Sequence, residues 1–342
     1  MNDHKPDNKD ISPEPKVSVI VCTYNQENTI AAALDSVVEQ QTDFRFEVLV
    51  ADDCSTDATP RICELYAKRY PEKVRLVRNR RNKGVTLNYF DALRMVRGKY
   101  VADLAGDDVW TCREKLSLQA EIMDADQDVT LCHGAWNKFD ATGNVWRPRE
   151  YAMPAEKKVR SGIELLPLLL AHRKEEWFVH LCSAMYRRDT ALEVMKDFPA
   201  LFDASRPCED FQLICLLASR GKVAWMPETL LHYRVGSPSL SSTEKAAKTV
   251  RFLCGVTLLT RDTADALGFP PQTTAPFCRF NLQYALMQSV IAGDNASRRL
   301  VKETIGKIRP TRPSLKTRIT LTLTSAPILR RCVLAMRRMA GK

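Results

Sequence analysis

Residues 98–110 read GKYVADLAGDDVW, an extended and half-apolar run that ends abruptly in two adjacent carboxylates. Strands of open parallel sheets place ligands at their carboxyl ends. Because neighbouring like charges repel, Asp107 and Asp108 are best tolerated where a cation or a ring of donors neutralises them. An isolated Asp-Asp pair is more often a solvated turn, so the rest of the chain has to decide between the two interpretations.

The first hundred residues alternate between apolar strand patterns and amphipathic helix patterns. Strands are predicted at 17–21, 46–51, 74–77 and 99–104. The segments between them carry apolar stripes at helical spacing: Ile30, Leu34, Val37 and Val38, then Ile62, Leu65 and Tyr66, then Leu87, Phe90, Leu93 and Val96. This alternation predicts an α/β fold whose parallel sheet is covered by helices on both faces.

Beyond Trp110 the pattern is looser. It predicts helices at 116–123 and 211–218, strands at 129–135, 179–186 and 222–225, and a mainly helical region at 245–306. The net charge of +10 is concentrated at the end, since residues 295–342 carry thirteen Lys or Arg, one acid and no aromatic residue. Nucleic-acid binders usually combine basic groups with stacking aromatics, so no nucleic-acid partner is expected.

Cysteine usage and hydropathy limit the class of protein. The eleven cysteines show no CxxC spacing, so neither a zinc nor a redox site is indicated, and their odd, scattered number suits a reducing cytosol. Residues 1–15 lack the apolar core of a signal peptide and are expected to form a flexible leader. No apolar run reaches the length that spans a bilayer.

Polar side chains follow three of the predicted strands. The sequence contains no GxGxxG, GxxxxGK[ST], HExxH or GxSxG motif, which excludes the usual dinucleotide, P-loop, metalloprotease and hydrolase sites. Tyr24 offers a flat face for a base, and Asp52 is able to accept hydrogen bonds from a ring N–H or a ribose hydroxyl. Asp107 and Asp108 are suited to a divalent ion that neutralises a diphosphate. Together these strand ends predict a nucleotide site at one edge of the sheet.

Four ordered motifs over residues 15–240 resemble the family 2 glycosyltransferases: VSVIVCTYN at 17–25, VADDCSTD at 50–57, NKG at 82–84 with Asn88, and AGDDVW at 105–110. The resemblance implies a GT-A fold, with a Rossmann-like, mostly parallel sheet flanked by helices. It also implies an inverting enzyme that uses nucleotide sugars, here with a helical C-terminal extension.

The resemblance assigns roles to particular side chains. The donor, most often a UDP-sugar, would be bound by Thr23, Tyr24, Asn25, Asp52, Asp53, Gly84, Asn88 and Asp107. Asp108, together with Asp107, would lie at the metal, Mg²⁺ or Mn²⁺. Trp110, Tyr233 and Arg234 would lie on the acceptor side.

A second acidic pair, Glu209-Asp210, precedes a predicted helix. An inverting transfer is a single displacement, so a carboxylate must take the proton of the attacking hydroxyl. By resemblance Asp210 is this general base, and Glu209 orients or tunes it. The alternative is that the two acids only open a helix, where negative charge is favourable.

The chain departs from the family pattern at two positions. Ala105 and Gly236 stand where an acid and a histidine are common, which leaves fewer protein ligands and suits a metal held mostly by phosphates and water. His232 lies nearby and is expected to be a core or surface residue. Asp103 occupies a place that is usually apolar.

The resemblance also divides the chain: a leader at 1–15, a GT-A domain at 16–240 with a nucleotide-binding half (16–110) and an acceptor half (111–240), a helical extension at 241–309 and a basic tail at 310–342. Within the tail, 328–338 has an apolar face and an arginine face, as expected of a helix that lies on an anionic membrane or docks on the protein. We therefore expect a cytoplasmic enzyme, peripheral at the inner face of the plasma membrane, that transfers sugar to a glycan or lipid-linked glycan.

Two other functions remain open. Ala105 and Gly236 would suit a nucleotide-sugar binding module that has lost its activity. A nucleotidyltransferase would use a similar sheet and metal, but it would usually carry a glycine-rich loop after the first strand, and residues 23–27 contain no glycine.

Overall fold

The computed structural model describes residues 14–236 and 246–308. Four parallel strands alternate with three helices at the start of the chain: β1 (Val17–Thr23), α1 (Ile30–Val38), β2 (Phe46–Asp52), α2 (Thr59–Arg69), β3 (Val74–Arg78), α3 (Val85–Met95) and β4 (Tyr100–Ala105). These strands lie in the order β3-β2-β1-β4, as in doubly wound α/β folds. The predicted alternation is confirmed.

The second half of the domain extends this sheet with strands of both directions. Its elements are β5 (Val109–Trp110), α4 (Lys115–Ala125), β6 (Val129–Phe139), β7 (Val145–Trp146), β8 (Lys158–Ser161), α5 (Gly162–Leu170), β9 (Met185–Arg187), α6 (Arg188–Asp197), α7 (Asp210–Ser219) and β10 (Lys222–Arg234). The full order is β3-β2-β1-β4-β9-β6-β10-β5, with β7 paired to β6 and β8 to β10. The sheet is therefore mixed, and its first half is parallel.

Helices cover both faces of the sheet. All seven residues of β2 are buried, and successive residues of β1 point to opposite sides. Ile20 packs into the cluster formed with α3, α5 and α7, whereas Val19 and Val21 pack with α1 and α4. The predicted helical region is confirmed as three helices: α8 (Ala246–Ala266), α9 (Pro271–Ala292) and α10 (Asn295–Lys307).

Two local predictions are wrong. Leu65 is 57% exposed, because α2 buries Thr59, Pro60 and Cys63, and a residue two positions after Cys63 points away from that face. The predicted strand at 179–186 is a 3₁₀ turn at Leu181–Ser183 followed by the short β9, since the chain turns where the Ser183 N–H donates to the His180 carbonyl.

Part of the predicted organisation lies outside the described residues: most of the leader, the boundary near 240, and the whole basic tail with its 328–338 segment. Among the helices that are described, none combines the length and the apolar character needed to cross a bilayer.

Candidate active site

The carboxyl ends of the parallel strands meet at one edge of the sheet. In register, Thr23 of β1 lies beside Asp52 of β2, and Asp52 lies beside Arg78 of β3. On the other side of β1, Cys22 pairs with Ala105, the last residue of β4. The edge therefore brings together the strand ends that the sequence predicted, and it adds Arg78, which sequence reasoning missed.

The loops after β1 and β2 are locked to each other. The Asn25 N–H donates to Ser55 Oγ at 2.9 Å, and the Thr56 N–H donates to Asn25 Oδ1 at 2.8 Å. Asn25 and Cys54 adopt positive φ angles of 51° and 64°. Such backbone is uncommon for a residue with a side chain and clusters at functional sites. Between these fixed loops, Tyr24 is 47% exposed.

Asp52 is enclosed rather than open to solvent. Its side chain has no exposed surface, and its oxygens accept hydrogen bonds from the Ser55 hydroxyl and N–H and from Arg78 Nε at 3.2 Å. The expected direct contact with a base is therefore not available in this conformation. Asp52 instead positions Arg78, whose side chain is 49% exposed at the edge.

Asp53 and Asn88 likewise hold the backbone of the site. Asp53 accepts hydrogen bonds from Asn79 Nδ2 and from the N–H groups of Lys83 and Gly84, at 2.8 to 2.9 Å. Asn88 accepts from Asn79 and donates to the Ala51 carbonyl, and it is 4% exposed. Both were predicted to bind a ligand, but here they fix the loop that ends at Gly84, whose φ is +82°.

Asp108 has a carboxylate that is only partly satisfied. Its Oδ1 accepts the Arg234 N–H at 2.9 Å, whereas its buried Oδ2 lacks a well-oriented hydrogen bond among the described residues, with the Cys182 thiol next to the carboxyl. Burial, followed by the charge of Asp107, raises the pKa of Asp108 well above its usual range. The Arg234 Nε donates to the Asp107 carbonyl at 3.0 Å. A buried acid with one free oxygen and a charged neighbour is suited to bind a cation.

Gly106 is required at the turn that leads to these acids. A Cβ at this position would lie 2.5 Å from Gln26 Oε1 and 2.9 Å from Thr23 Oγ1. The two side chains are themselves hydrogen-bonded at 2.8 Å, so neither can move aside freely. The close approach of the β1 loop to the β4 turn therefore depends on glycine.

Trp110 does not line the site. The side chain is 4% exposed, its indole N–H donates to the Cys182 carbonyl at 2.8 Å, and Lys115 Nζ lies 4.1 Å above the ring. The expected acceptor contact is corrected to a structural role, in which Trp110 anchors the 3₁₀ turn. Tyr233 and Arg234 remain half-buried beside Asp107 and Asp108.

The second acidic pair stands at the start of a helix. Glu209 directly precedes α7, and Asp210 is the first residue of that helix. Burial, followed by the charges of Asp210 and Asp103, raises the pKa of Glu209. Burial and then Asp108, Asp103 and Glu209 raise the pKa of Cys182. One thiol thus lies within electrostatic reach of both Asp108 and Glu209.

Asp103 is a buried charge behind the site. Both of its oxygens lack a well-oriented hydrogen bond among the described residues, while the hydroxyls of Tyr89 and Tyr186, 2.5 Å apart, lie next to it. Burial raises the pKa of Asp103 to about 7 and lowers the pKa of Lys115, across the sheet, to about 7. The sequence showed only that an acid stood at an apolar position; the tyrosine pair around it was not predictable.

Asp103→Asn is expected to stabilise the protein at alkaline pH. Because the folded carboxyl titrates near 7 and the unfolded one near 3.8, the folded state holds the extra proton between these values, and stability falls as pH rises through that window. Above pH 7 the free energy of unfolding of the ionised wild type should therefore be lower than that of the variant, by at most on the order of 4 kcal/mol. Urea unfolding at pH 5 and pH 8 measures this, with the exposed Asp43→Asn as control. Equal pH dependence of wild type and Asp103→Asn would refute it.

The chain is similar in sequence and in fold to known proteins. The sequence model of the family "Glycosyl transferase family 2" matches residues 18–194, just over half of the chain. The chain belongs to glycosyl transferase family 2. The GT-A fold expected from the sequence is confirmed by solved glycosyltransferase structures.

Three known proteins illustrate the similarity. The uncharacterized protein Rv1520 of Mycobacterium tuberculosis is 36% identical over 218 residues, 64% of this chain and 58% of Rv1520. The UDP-Glc:alpha-D-GlcNAc-diphosphoundecaprenol beta-1,3-glucosyltransferase WfgD of Escherichia coli is 36% identical over 108 residues, 31% of this chain and 40% of WfgD. The chain thus spans less than two thirds of these relatives. Staphylococcus aureus TarS 1–349, solved with UDP-GlcNAc, superposes with a TM-score of 0.59 at 18% identity, covering 86% of this chain and 80% of TarS 1–349.

Proposed function

We propose that this family 2 glycosyltransferase moves a sugar from a UDP-sugar, with inversion, to a hydroxyl of a glycan or lipid-linked glycan in the synthesis of a surface polysaccharide. The observation that carries the proposal is the acidic pair Asp107-Asp108 just after the end of β4, where the buried Asp108 Oδ2 lacks a well-oriented hydrogen bond among the described residues. The second pair, Glu209-Asp210, would complete the site, since Glu209 and Asp108 both act on the Cys182 thiol. WfgD, named as a UDP-glucose enzyme with a diphosphoundecaprenol-linked acceptor, and TarS, solved with UDP-GlcNAc, support this donor and acceptor class.

The donor would lie across the ends of β1, β2 and β4. Tyr24 offers its exposed ring to the base, and Thr23 and Asn25 belong to the same locked loop. Four further residues would support the donor indirectly, by holding Arg78 and the loop at 79–84 in place: Asp52, Asp53, Gly84 and Asn88. Asp107 would lie near the ribose.

A divalent ion, Mg²⁺ or Mn²⁺, fits the acids at this edge. The free Oδ2 of Asp108 is the natural ligand, and Asp107 would share the charge. Within the described residues no three His, Cys, Asp or Glu side chains gather as a ready metal site. With Ala105 and Gly236 in place of further ligands, donor phosphates and water would complete the coordination. When bound, the ion would neutralise charge on the leaving diphosphate.

Asp210 would take the proton of the acceptor hydroxyl as that oxygen attacks the anomeric carbon from the face opposite the diphosphate. One bond forms as the other breaks, so the anomeric configuration inverts. Burial and the charge of Asp210 raise the pKa of Glu209, so Glu209 would hold a proton, keep the pair at a single negative charge and leave Asp210 as the base. The Phe211 N–H donates a hydrogen bond to Asp210 Oδ1 at 2.7 Å, which holds the carboxyl at the start of the helix.

The enzyme would work in the cytoplasm at the inner face of the plasma membrane. The arginines of 328–338, which lie outside the described residues, would attract it to anionic lipid. Lipid-linked acceptors are presented at such a surface, so this location suits the proposed substrate.

Tyr24→Ala is expected to weaken UDP binding by about 5- to 150-fold, because stacking of a base on an aromatic ring contributes about 1–3 kcal/mol. The ring is exposed and makes no part of the core, so the fold should be unaffected. Calorimetric titration with UDP and Mn²⁺ measures the change, and Tyr24→Phe is the control that keeps the ring. Equal affinity for Tyr24→Ala and wild type would remove Tyr24 from the base site.

The proposed function is tested by calorimetry with UDP and by product analysis across a panel of UDP-sugars with a lipid-diphosphate acceptor. We expect Mn²⁺-enhanced UDP binding and a mass increase of one sugar on the acceptor with one donor. Binding of UDP without hydrolysis or transfer for any donor would favour the inactive binding module instead. Absence of UDP binding would overturn the proposal.

A further inference from the structure

A surface depression of about 730 Å³ lies on the acceptor half of the sheet, beside the turn between β7 and β8. Its walls include two aromatic and two basic side chains: Trp146, Tyr151, Arg147 and Arg149. Trp146 is 40% exposed, and both arginines are exposed. We propose that this depression is an acceptor subsite for an anionic saccharide, a sugar ring that carries a phosphate or a carboxylate; the proposal rests on the function proposed above.

The floor of the depression is built before any ligand arrives. The Tyr151 ring packs on Phe178 with centroids 4.4 Å apart, and on Trp136 at 4.9 Å. The Ala152 N–H donates to the Lys174 carbonyl at 2.8 Å, and the Trp225 indole N–H donates to the Pro154 carbonyl at 3.0 Å. A fixed aromatic floor binds with little loss of conformational entropy, as preformed ligand sites do.

Cations surround this floor on more than one side. Lys174 Nζ lies 5.4 Å from the Tyr151 ring and 5.8 Å from the Phe178 ring, and Lys138 Nζ lies 5.6 Å from the Tyr151 ring. Lys138 also forms an ion pair with Glu150. Because this pair neutralises Glu150, the one acid in the lining, Lys174, Arg147 and Arg149 give the depression an excess of positive charge that favours an anion. Guanidinium groups bind both phosphate and carboxylate through paired N–H donors.

The depression is linked to the proposed reaction site through the β6–β7 hairpin. In the β6–β7 hairpin Lys138 pairs with Trp146 and Phe139 pairs with Val145. The Arg234 guanidinium lies 4.2 Å from the Phe139 ring, and the Arg234 N–H binds Asp108. One hairpin therefore connects the exposed indole to the acidic edge, and beside it the rings of Trp136 and Tyr233 pack with their centroids 6.0 Å apart. A saccharide on Trp146 and Tyr151 would extend toward Asp108.

Binding of three small probes tests the proposal without requiring transfer. NMR titrations compare glucose 1-phosphate, glucuronic acid and the uncharged methyl glucoside, on wild type and on Trp146→Ala and Arg149→Glu. We expect at least one anionic probe to bind about tenfold more tightly than methyl glucoside, and both variants to lose about tenfold or more of that affinity. Lys68→Glu, which reverses an exposed charge near the end of α2, is the matched control and should bind as wild type does.

The outcomes separate the ligand sources and the two proposals. Preference for glucose 1-phosphate identifies a phosphate-bearing acceptor, and preference for glucuronic acid identifies a hexuronate. Equal binding of all three probes, binding of none, or unchanged affinity in Trp146→Ala and Arg149→Glu would overturn the subsite. UDP affinity in the same two variants should stay within twofold of wild type; if UDP binds to none of the proteins, the proposed function fails while the subsite result stands.

Discussion

Asp210→Asn is expected to lower the rate of sugar transfer by about three orders of magnitude while UDP-sugar binding stays within twofold of wild type. The asparagine keeps the size and the helix-opening position of the side chain but cannot accept the proton of the acceptor hydroxyl. General-base catalysis contributes about 10²- to 10⁴-fold to such reactions. Transfer rates at saturating donor, together with calorimetric donor affinity, measure the two quantities separately.

Glu209→Gln is the matched control for this experiment. Burial and the charge of Asp210 raise the pKa of Glu209, which favours the protonated form of this side chain. Glutamine imitates that neutral form, and transfer should fall by less than about tenfold. A larger loss in Glu209→Gln than in Asp210→Asn would reverse the two roles, and near-normal turnover in Asp210→Asn would remove it as the base.

Asp108→Asn is expected to abolish the Mn²⁺-dependent part of UDP binding and to reduce transfer by on the order of 10³-fold, because stabilisation of a leaving group by a metal is worth several kcal/mol. The same change should raise the thermal stability of the metal-free protein. It removes a buried carboxylate whose Oδ2 has no partner among the described residues.

Thermal unfolding with and without UDP and Mn²⁺ separates these opposite effects. Wild type should gain stability from UDP and Mn²⁺ together by mass action, whereas Asp108→Asn should start higher and gain much less. The half-exposed Asp91→Asn, whose carboxylate pairs with Lys83 and Arg94, is the control for loss of a carboxylate elsewhere. An undiminished response to Mn²⁺ in Asp108→Asn would place the metal at other residues.

Hydropathy period and strand ends predicted the parallel half of the fold, because β1, β2 and β4 are buried on both faces and each helix has one apolar stripe. The same reasoning pointed to Asp107 and Asp108, since carboxyl ends of parallel strands must share an edge, whereas Asp210, at the start of a helix, was assigned only by resemblance to the family. It should also have found Arg78, which follows the same rule at the end of β3.

The contacts of individual side chains could not be predicted from the sequence. Whether Asp52 faces a ligand or is enclosed depends on where Ser55 and Arg78 lie after folding, and the burial of Trp110 depends on a carbonyl 72 positions away at Cys182. The depression at Trp146 depends on a hairpin and on two loops fixed by Trp225 and Lys174. Apart from the local Asp52–Ser55 hydrogen bond, these are long-range contacts, and local pattern carries no information about them.

The most direct test of the central claim is a crystal structure of the protein with a UDP-sugar and Mn²⁺. The account predicts the pyrimidine against Tyr24, the ion about 2.1 Å from Asp108 Oδ2, and the Asp210 carboxylate on the face of the sugar opposite the diphosphate. A nucleotide bound away from the carboxyl ends of β1, β2 and β4, or an Asp210 on the same side as the diphosphate, would contradict it.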